Sequence, residues 1–415
     1  MNDVSLNKKV PLWPLWVLFF TSTDTLLFGT NANNTFLYVP RIVGLFIFAF
    51  LPIILKKTII ANKKTLIAFI LCSIALISAV FNETEIPTII SRIIPILAAC
   101  SVATYYEHKD YVNVFCKFVY FVSVVAIITE FFAYVFPAIF NIFPTVINTS
   151  KGLFSCFFFG TMRYSFIGDS LIRAGGIFWE PGAFSIYINL AIMYELFFEE
   201  KPDIKHICAD IIALLITFST TGYIGFFVMI TIYILAKKSI TKKQLVCKLL
   251  LCFGMVILIV CTIGFENSQI YEFVFGKIEN AESTTITRYS SIINGLEIGW
   301  NNPIFGVGSN RIEESIMFYA EKSSFGKNPM LTNTCTIQFA TFGMIFGTIY
   351  LLYTIRYFTK QNMNLLCRLG LLITLMLLYC GEAFYSFLPF IFVFYGVGDM
   401  QKDVSDENSI NKFAS

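Results

Sequence analysis

The sequence predicts an all-α, polytopic integral membrane protein of about twelve transmembrane helices. Three observations carry that prediction. Only 14% of the 415 residues are charged while 56% are hydrophobic, with a mean hydropathy of +0.71. A soluble domain carries about 25% charged residues, so this chain lacks the polar surface of one. The apolar residues fall in blocks of roughly 15 to 22, the length a helix needs to cross about 30 Å of hydrocarbon. The basic residues, finally, keep to alternate loops, as a multi-pass chain requires. A soluble enzyme, a disordered chain and a nucleic-acid-binding protein are thereby excluded. The net charge of +3 is too small to imply an anionic polymer as partner.

The apolar blocks predict helices at 12–30, 36–55, 65–81, 87–104, 118–137, 182–198, 207–219, 222–236, 248–264, 332–353, 366–380 and 384–398. The first follows Lys8 and Lys9 and contains Pro11, Pro14 and Asp24 without a small-residue cleavage site, so it reads as a retained helix. The seventh and eighth can form one broken hairpin around Ser219-Thr-Thr-Gly222. Residues 399–415 form a polar tail, and the whole chain, 1–415, reads as a single transmembrane domain.

With the N-terminus in the cytoplasm, 20 of the 30 Lys and Arg lie on the cytoplasmic side, and the short loops opposite hold none. Both termini are then cytoplasmic. Eight of the remaining ten fall in two long exterior loops: 138–181, with Lys151, Arg163 and Arg173, and 265–331, with Lys277, Arg288, Arg311, Lys322 and Lys327. Loops of that length inside a compact protein are usually functional, so the chemistry is expected on the exterior face.

The other two, Arg41 and Arg92, fall within predicted helices, as do Asp24 and Glu130, all in the exterior third. A charge in hydrocarbon costs at least about 2.5–3.5 kcal/mol, so each needs a partner or a wet cavity. Internal ion pairs or snorkelling to the headgroups would satisfy them. So would one polar cavity opening outward, in which Arg41 and Arg92 help hold an anionic group. Cys72, Cys100, Cys208, Cys252, Cys261 and Cys380 lie in apolar blocks and read as small hydrophobes. Two His and no Cys/His cluster of metal-ligand spacing argue against a zinc or haem site.

The first long loop runs from Phe154-Ser-Cys-Phe-Phe-Phe-Gly160 to Arg173-Ala-Gly-Gly-Ile-Phe-Trp-Glu180-Pro-Gly182. It is too aromatic to float in water and too broken to span, and is expected to lie at the interface or dip back into the bilayer. Gly175 and Gly176 allow a tight turn after Arg173. Glu180 stands before Pro181 at the positive end of the next helix, a capping position. With Arg173 seven residues earlier, the pair also frames a plausible site for phosphate and sugar hydroxyls.

In the second loop, Ile286, Tyr289, Ile293, Leu296 and Trp300 follow 3, 4, 3, 4 spacing, an apolar stripe on an amphipathic helix. Ser283 to Thr285 offer its N-cap and Asn301-Asn-Pro303 stops it. Arg288 lies off the stripe, either as a solvated charge or presented to a headgroup. Gly306-Val-Gly308 follows, with Arg311 close behind. There the backbone N–H groups and a guanidinium could approach an anion together.

These two loops resemble the O-antigen polymerase (Wzy class) and O-antigen ligase superfamily. The matching residues are Arg173-Ala-Gly-Gly-Ile-Phe-Trp-Glu180-Pro-Gly182 before a helix, Thr287-Arg288-Tyr-Ser through Trp300-Asn-Asn-Pro303-Ile-Phe-Gly306-Val-Gly308, and the Gly343-Met-Ile-Phe-Gly347 spacing. The resemblance spans roughly residues 120–350. It implies a GT-C-like architecture and metal-independent transfer of a glycan from an undecaprenyl-diphosphate carrier on the outer face of the bacterial inner membrane. It also implies a chain-length regulator of the Wzz type as partner and no cofactor. Ligases of the family typically carry a His-Asn pair where this chain has Thr332-Asn333, which favours the polymerase.

Charge developing on a leaving phosphate can be stabilised by Arg side chains without a metal. The exterior offers no Asp-x-Asp pair, and Glu83-Thr-Glu85 reads as a solvated turn. On this reading Arg173 and Arg288 grip the diphosphate, with Arg311, Arg163, Arg41 and Arg92 as secondary contacts and Gly175, Gly176, Gly306 and Gly308 shaping the site. Glu180 orients Arg173 or accepts the acceptor hydroxyl proton. A lipid-linked oligosaccharide flippase and the O-antigen ligase are the alternatives.

Overall fold

The computed structural model describes residues 10–22, 24–25, 60–136, 145–148, 152–157, 161–165, 173–236, 284–322 and 331–398, and positions 44, 47, 50–51, 53–56, 138 and 246. Arg41 and the predicted helix at 248–264, apart from its neighbour Val246, lie outside the described residues. The described helices are α1 (Trp13–Phe20), α2 (Lys63–Phe81), α3 (Ile86–Tyr105), α4 (His108–Val135), α5 (Pro181–Phe197), α6 (Ile204–Thr217), α7 (Thr220–Ala236), α8 (Thr284–Asn301), α9 (Ile312–Lys322), α10 (Thr334–Thr359), α11 (Leu365–Tyr379) and α12 (Leu388–Val397). Among them α2, α3, α4 and α10 are long and apolar enough to cross a membrane, and α7, α11 and α12 are shorter apolar helices. The chain is an all-α, multi-pass membrane protein.

The helix starts are written locally. Asn62 accepts from the N–H groups of Lys64 and Thr65 while Thr65 Oγ1 accepts from Asn62 N, a reciprocal cap on α2. Asp203, Asn333 and Asn364 cap α6, α10 and α11 by accepting from backbone N–H groups of the first turn, without the reciprocal bond, each contributing about 1 kcal/mol. Proline opens α3, α5 and α12, where its missing N–H costs nothing. Helix α5 is apolar all round and buried on every side, packed by α4, α6 and α7, so it is the centre of the bundle. Around it the large side chains of α2 that point outward, Phe69, Val80 and Phe81 among them, stay exposed, as a lipid-facing helix requires.

Three features depart from the sequence expectation. Helix α1 ends at Phe20, so Asp24 sits in a turn beyond it and not within a helix. Helix α4 begins at His108, ten residues before the predicted start. The first long loop contains a four-stranded antiparallel sheet, β1 (Thr145–Asn148), β2 (Gly152–Phe157), β3 (Thr161–Ser165) and β4 (Arg173–Gly176), in sequential order. The first part of the aromatic run, Phe154 to Phe157, belongs to strand β2, whose ladder pairs Leu153 to Phe157 with Ser165 to Thr161, while 158–160 lie outside the described residues. A register shift at Met162 and Arg163 bends β3 against β4.

Helix α8 forms as predicted. Tyr289, Leu296 and Trp300 of its apolar stripe face outward, while Ser290, Ser291, Asn294 and Ile298 are buried against α10. Gly295 and Gly299 bring the two helices together: a Cβ there would lie 2.7 Å from Thr336 Oγ1 and 2.9 Å from Phe339 O. Helix α9, which periodicity did not reveal, closes a small second core of Ile298, Ile312, Ile316 and Ala340.

Candidate functional site

The residues singled out in the sequence gather at the end of the bundle where α2, α4 and α11 finish and α3, α5, α10 and α12 begin. Three pieces of chain build that end: the β4–α5 junction, the 303–311 turn and the 380–387 connector between α11 and α12.

At the β4–α5 junction Gly176 has φ of 57°, and Phe178 N–H donates to Gly175 O at 3.1 Å, so the tight turn expected there is present. The turn returns the chain to α1: Thr25 bridges Phe178 and Trp179 N–H donates to Asp24 O at 3.2 Å. Asp24 is buried and accepts from Tyr187 Oη of α5 at 2.6 Å. Its carboxylate is therefore part of the wall that holds the junction.

Arg173 is brought to the site, where it also ties two elements together. It is buried, with Nε donating to Thr217 O at 2.9 Å and Nη2 to Phe218 O at 3.0 Å. Those are the last carbonyls of α6, where Phe218 turns left-handed at φ of 47°. A guanidinium at a helix C-terminus satisfies orphan carbonyls and complements the helix dipole. Arg173 thus ties the sheet to the α6–α7 hairpin, which breaks at Phe218-Ser219 as anticipated. Ser185 Oγ of α5 shares a hydrogen bond with Ser219 Oγ at 3.0 Å and fastens the same turn from the other side.

Glu180 occupies the N-cap position of α5 with extended backbone, but its side chain makes no capping hydrogen bond. It points to Gly182 instead, and a residue that the sequence reading missed meets it there. A Cβ on Gly182 would lie 2.9 Å from Glu180 Oε1 and 2.3 Å from Glu382 Oε1. The two buried carboxyl groups therefore come within about 5 Å of each other at the positive end of α5. Glu382 belongs to the 380–387 connector, whose backbone is held by Thr334: Oγ1 donates to Glu382 O at 2.5 Å and accepts from Phe384 N–H at 3.1 Å. The available signal was a carboxylate between two short apolar helices, in a connector counted only as a break.

Two further cations act on the connector. Burial pushes the Cys380 thiol up, and the Asn333 amide and the charge of Arg288, on α8, act against that shift. Arg288 is half-buried. Around it Thr332 N–H donates to Ser291 Oγ at 2.8 Å and Asn333 Nδ2 lies 3.2 Å from Cys380 Sγ. At the far end of the connector the Arg92 guanidinium stacks on Tyr385, 3.6 Å from the ring centroid, and Nε donates to Ser309 Oγ at 3.2 Å. Burial pushes the Tyr385 phenol up against the opposing pull of Arg92, so the ring stays neutral. Two small clefts of about 10 Å³ each, room for about one water, flank Arg92.

The Gly306-Val-Gly308 turn corrects a second expectation. Its N–H groups are not offered to an anion: Gly306 donates to Asn302 O at 3.0 Å, Val307 to Ala340 O at 2.9 Å and Gly308 to Thr341 O at 3.1 Å. The Ala340 and Thr341 carbonyls are open because α10 breaks at Gly343, with φ of 89° and ψ of 175°, and Met344 N–H turns to Pro303 O at 2.7 Å. The turn plugs the break in the helix. Gly306 and Gly308 hold φ of 63° and 72°, and a Cβ on Gly306 would lie 2.4 Å from the Thr341 carbonyl, so glycine is required.

Arg311 is exposed at the start of α9. Arg163 pairs through its backbone with Ser155 and Ala174 in the sheet. Glu130 is buried within α4, and Glu83 and Glu85 are exposed, as a solvated turn predicts. Two carboxylates inside helices were overlooked in the sequence. Asp210 accepts from Ser123 Oγ at 2.6 Å, and Glu195 bonds His206 Nδ1 at 2.7 Å. Both lie away from the site. Among the described residues no three His, Cys, Asp or Glu side chains form a metal-ligand group.

Residues 207–352 match the family model described as O-antigen ligase. No curated protein and no solved structure matches the chain. The matched stretch contains the α6 carbonyls under Arg173, the Arg288 helix, the 303–311 turn and the broken part of α10. That stretch, about a third of the chain, is thus similar to the O-antigen ligase family.

Proposed function

We propose that the protein is a polymerase of O-antigen or a related surface polysaccharide, joining undecaprenyl-diphosphate-linked repeat units on the outer face of the bacterial inner membrane with both termini in the cytoplasm. The observation that carries the reading is the buried carboxyl pair that Glu180 and Glu382 of the 380–387 connector form over Gly182, with the Arg92 guanidinium stacked on Tyr385 of the same connector. Glycosyl transfer needs both. The acceptor sugar hydroxyl oxygen bonds to the donor's anomeric carbon as the bond from that carbon to the phosphate oxygen breaks. The hydroxyl proton passes to a carboxylate, for which Glu180 and Glu382 are the groups at hand. The negative charge left on the lipid diphosphate is stabilised by guanidinium groups, Arg288 foremost. Arg173 acts as a positioning residue through the α6 terminus, and Arg41, Arg163 and Arg311 are secondary contacts for the glycan or phosphate. No metal enters this scheme. A flippase has no use for paired carboxylates at one end of the bundle.

Within the superfamily the polymerase is favoured because Thr332 stands where ligases carry histidine. It donates its backbone N–H to Ser291 and leads into the Asn333 cap, a structural placement. The description of the matching family model supports the ligase as the second reading. Surface lipopolysaccharide from a deletion strain separates them. The polymerase predicts core bearing a single repeat, with the ladder gone and restored by the wild-type gene. Core without even one repeat would overturn the polymerase in favour of the ligase or a flippase.

A further inference from the structure

We propose that Asp210 is a proton-binding site inside the bundle, loaded from the cytoplasmic side through the Glu195–His206 pair, and that its proton keeps α6 seated where the last carbonyls of that helix hold Arg173. The site depends on the proposed function only for the side of the membrane on which the 198–203 loop lies.

Helix α6 packs on α4 and α5 and meets β4 at its far end. Asp210 is fully buried in that packing, at 0% exposure. Ser123 Oγ of α4 donates to Asp210 Oδ1 at 2.6 Å, and Oδ2 has no hydrogen-bond partner among the described residues. A buried carboxylate needs a cation or several donors in place of its hydration shell, and one hydroxyl is neither. The charge that acts on it from α5, Glu195, is negative and adds to the cost. Arg173, which comes to α6 from β4, is engaged two turns further on by Thr217 O and Phe218 O. A proton on Oδ2 removes the charge while Oδ1 keeps the serine bond.

A polar seam leads to Asp210 from the cytoplasmic ends of the three helices. His206 lies one turn before it on the same face of α6, about 5–6 Å away between Cβ atoms. The imidazole Nδ1 bonds Glu195 Oε1 at 2.7 Å, and Glu195 Oε2 accepts from Asp203 N–H at 2.9 Å, which fixes the pair at the mouth of the seam. His206 is 15% exposed and stacks on Tyr120 of α4, with ring centroids 4.5 Å apart. Cys116, Tyr120 and Ser123 recur at helical spacing, so one face of α4 covers the seam from Cys116 Sγ, 3.7 Å from Ala191 O, to the Asp210 carboxyl. Beyond the end of α5, burial and the Glu195 charge hold the Glu199 carboxyl above its usual range, with Lys109 and Lys117 acting against that shift. An imidazole changes charge between about pH 5 and 8, so His206 can take a proton from cytoplasmic water and pass it to the Asp210 carboxylate, leaving a neutral imidazole and a neutral acid. Loss of that proton at alkaline pH leaves an unpaired charge against α4 and α5 and unseats α6, with Arg173 at its end.

Infrared difference spectra of the purified full chain, wild type minus Asp210→Asn, read the proton directly. Asparagine keeps the size of the side chain and an acceptor for Ser123, so the variant is expected to fold. At neutral pH the difference should contain the C=O band of a protonated carboxyl that shifts in heavy water. A carboxylate band in its place, whether or not sodium moves it, would overturn the proposal. Labelling aspartate carboxyls with heavy carbon should move the same acid band in wild type, a check that does not depend on the variant. Deuterium exchange of that band should slow about a hundredfold in His206→Gln and in Glu195→Gln, and unchanged exchange in both would overturn the route through the pair. Raising the pH until the acid band disappears should lower the melting temperature of wild type more than that of Asp210→Asn. An equal drop in both would overturn the link to α6. None of these readings needs sugar transfer, so they fail or succeed separately from the lipopolysaccharide ladder that tests the polymerase itself.

Discussion

Glu180 and Glu382 each direct a carboxyl oxygen at the point where a Cβ of Gly182 would sit, at 2.9 and 2.3 Å. Gly182→Ala should therefore push the two carboxyl groups apart with little other damage, because the atoms in the way end flexible side chains. We expect the O-antigen ladder to shorten or disappear at near-normal protein abundance. Glu382→Gln should do the same, and a full ladder in Glu382→Gln would remove that residue from the proton-accepting role.

Arg173 and Arg288 should separate by stability. Removing Arg173 strips the α6 carbonyls of two charge-assisted hydrogen bonds, each worth about 1.5–3 kcal/mol. Arg173→Ala is expected to lower the detergent-solubilised melting temperature by several degrees, whereas Arg288→Ala leaves it within a degree and still abolishes the ladder. Equal melting temperatures for the two variants would contradict the capping role of Arg173.

Tyr385 acts on Arg92 through its ring. Tyr385→Phe retains the stacking face and is expected to retain activity, while Tyr385→Ala loses a contact worth about 0.5–2 kcal/mol and leaves Arg92 poorly placed. The ladder from each variant, compared at matched expression, decides this.

Gly306→Ala and Gly343→Ala place a Cβ at positive φ against backbone atoms 2.4 and 2.7 Å away. The strain of such a conformation is about 1–3 kcal/mol before the clash is added. Both variants should accumulate poorly and melt earlier, and normal abundance of Gly306→Ala would show that the turn is not locked into the helix break.

Trp300 is 73% exposed at the end of the outward stripe of α8. In a variant retaining Trp300 alone, brominated lipid should quench its fluorescence strongly and aqueous acrylamide weakly. The reverse order would turn that face of α8 to water.

The spans with long apolar blocks were legible because length and hydrophobicity alone define them, as for α2, α3 and α10. The amphipathic stripe of α8 was legible for the same reason of periodicity. Strand β2 was not, since a short apolar run such as Gly152–Phe157 reads equally as strand or interfacial segment until its partner is known. Of the site, Glu180, Arg288 and Arg92 were visible as charges out of place in an apolar chain. Glu382 was hidden because a carboxylate in a connector is unremarkable, and only the fold carries it to Gly182 across 200 residues of sequence. The anchoring of Arg173 to the end of α6 was hidden, because backbone carbonyl acceptors leave no trace in side-chain patterns.

The interruption of α10 at Gly343 also bears on how the protein is made. A span with open carbonyls at Ala340 and Thr341 is a poor passenger for lipid, where every unpaired backbone group is costly. The groups that close the gap, the N–H donors of Val307 and Gly308, precede α10 in the chain. They leave the ribosome first and stand ready when α10 arrives, so the order of synthesis matches the order in which the parts must meet.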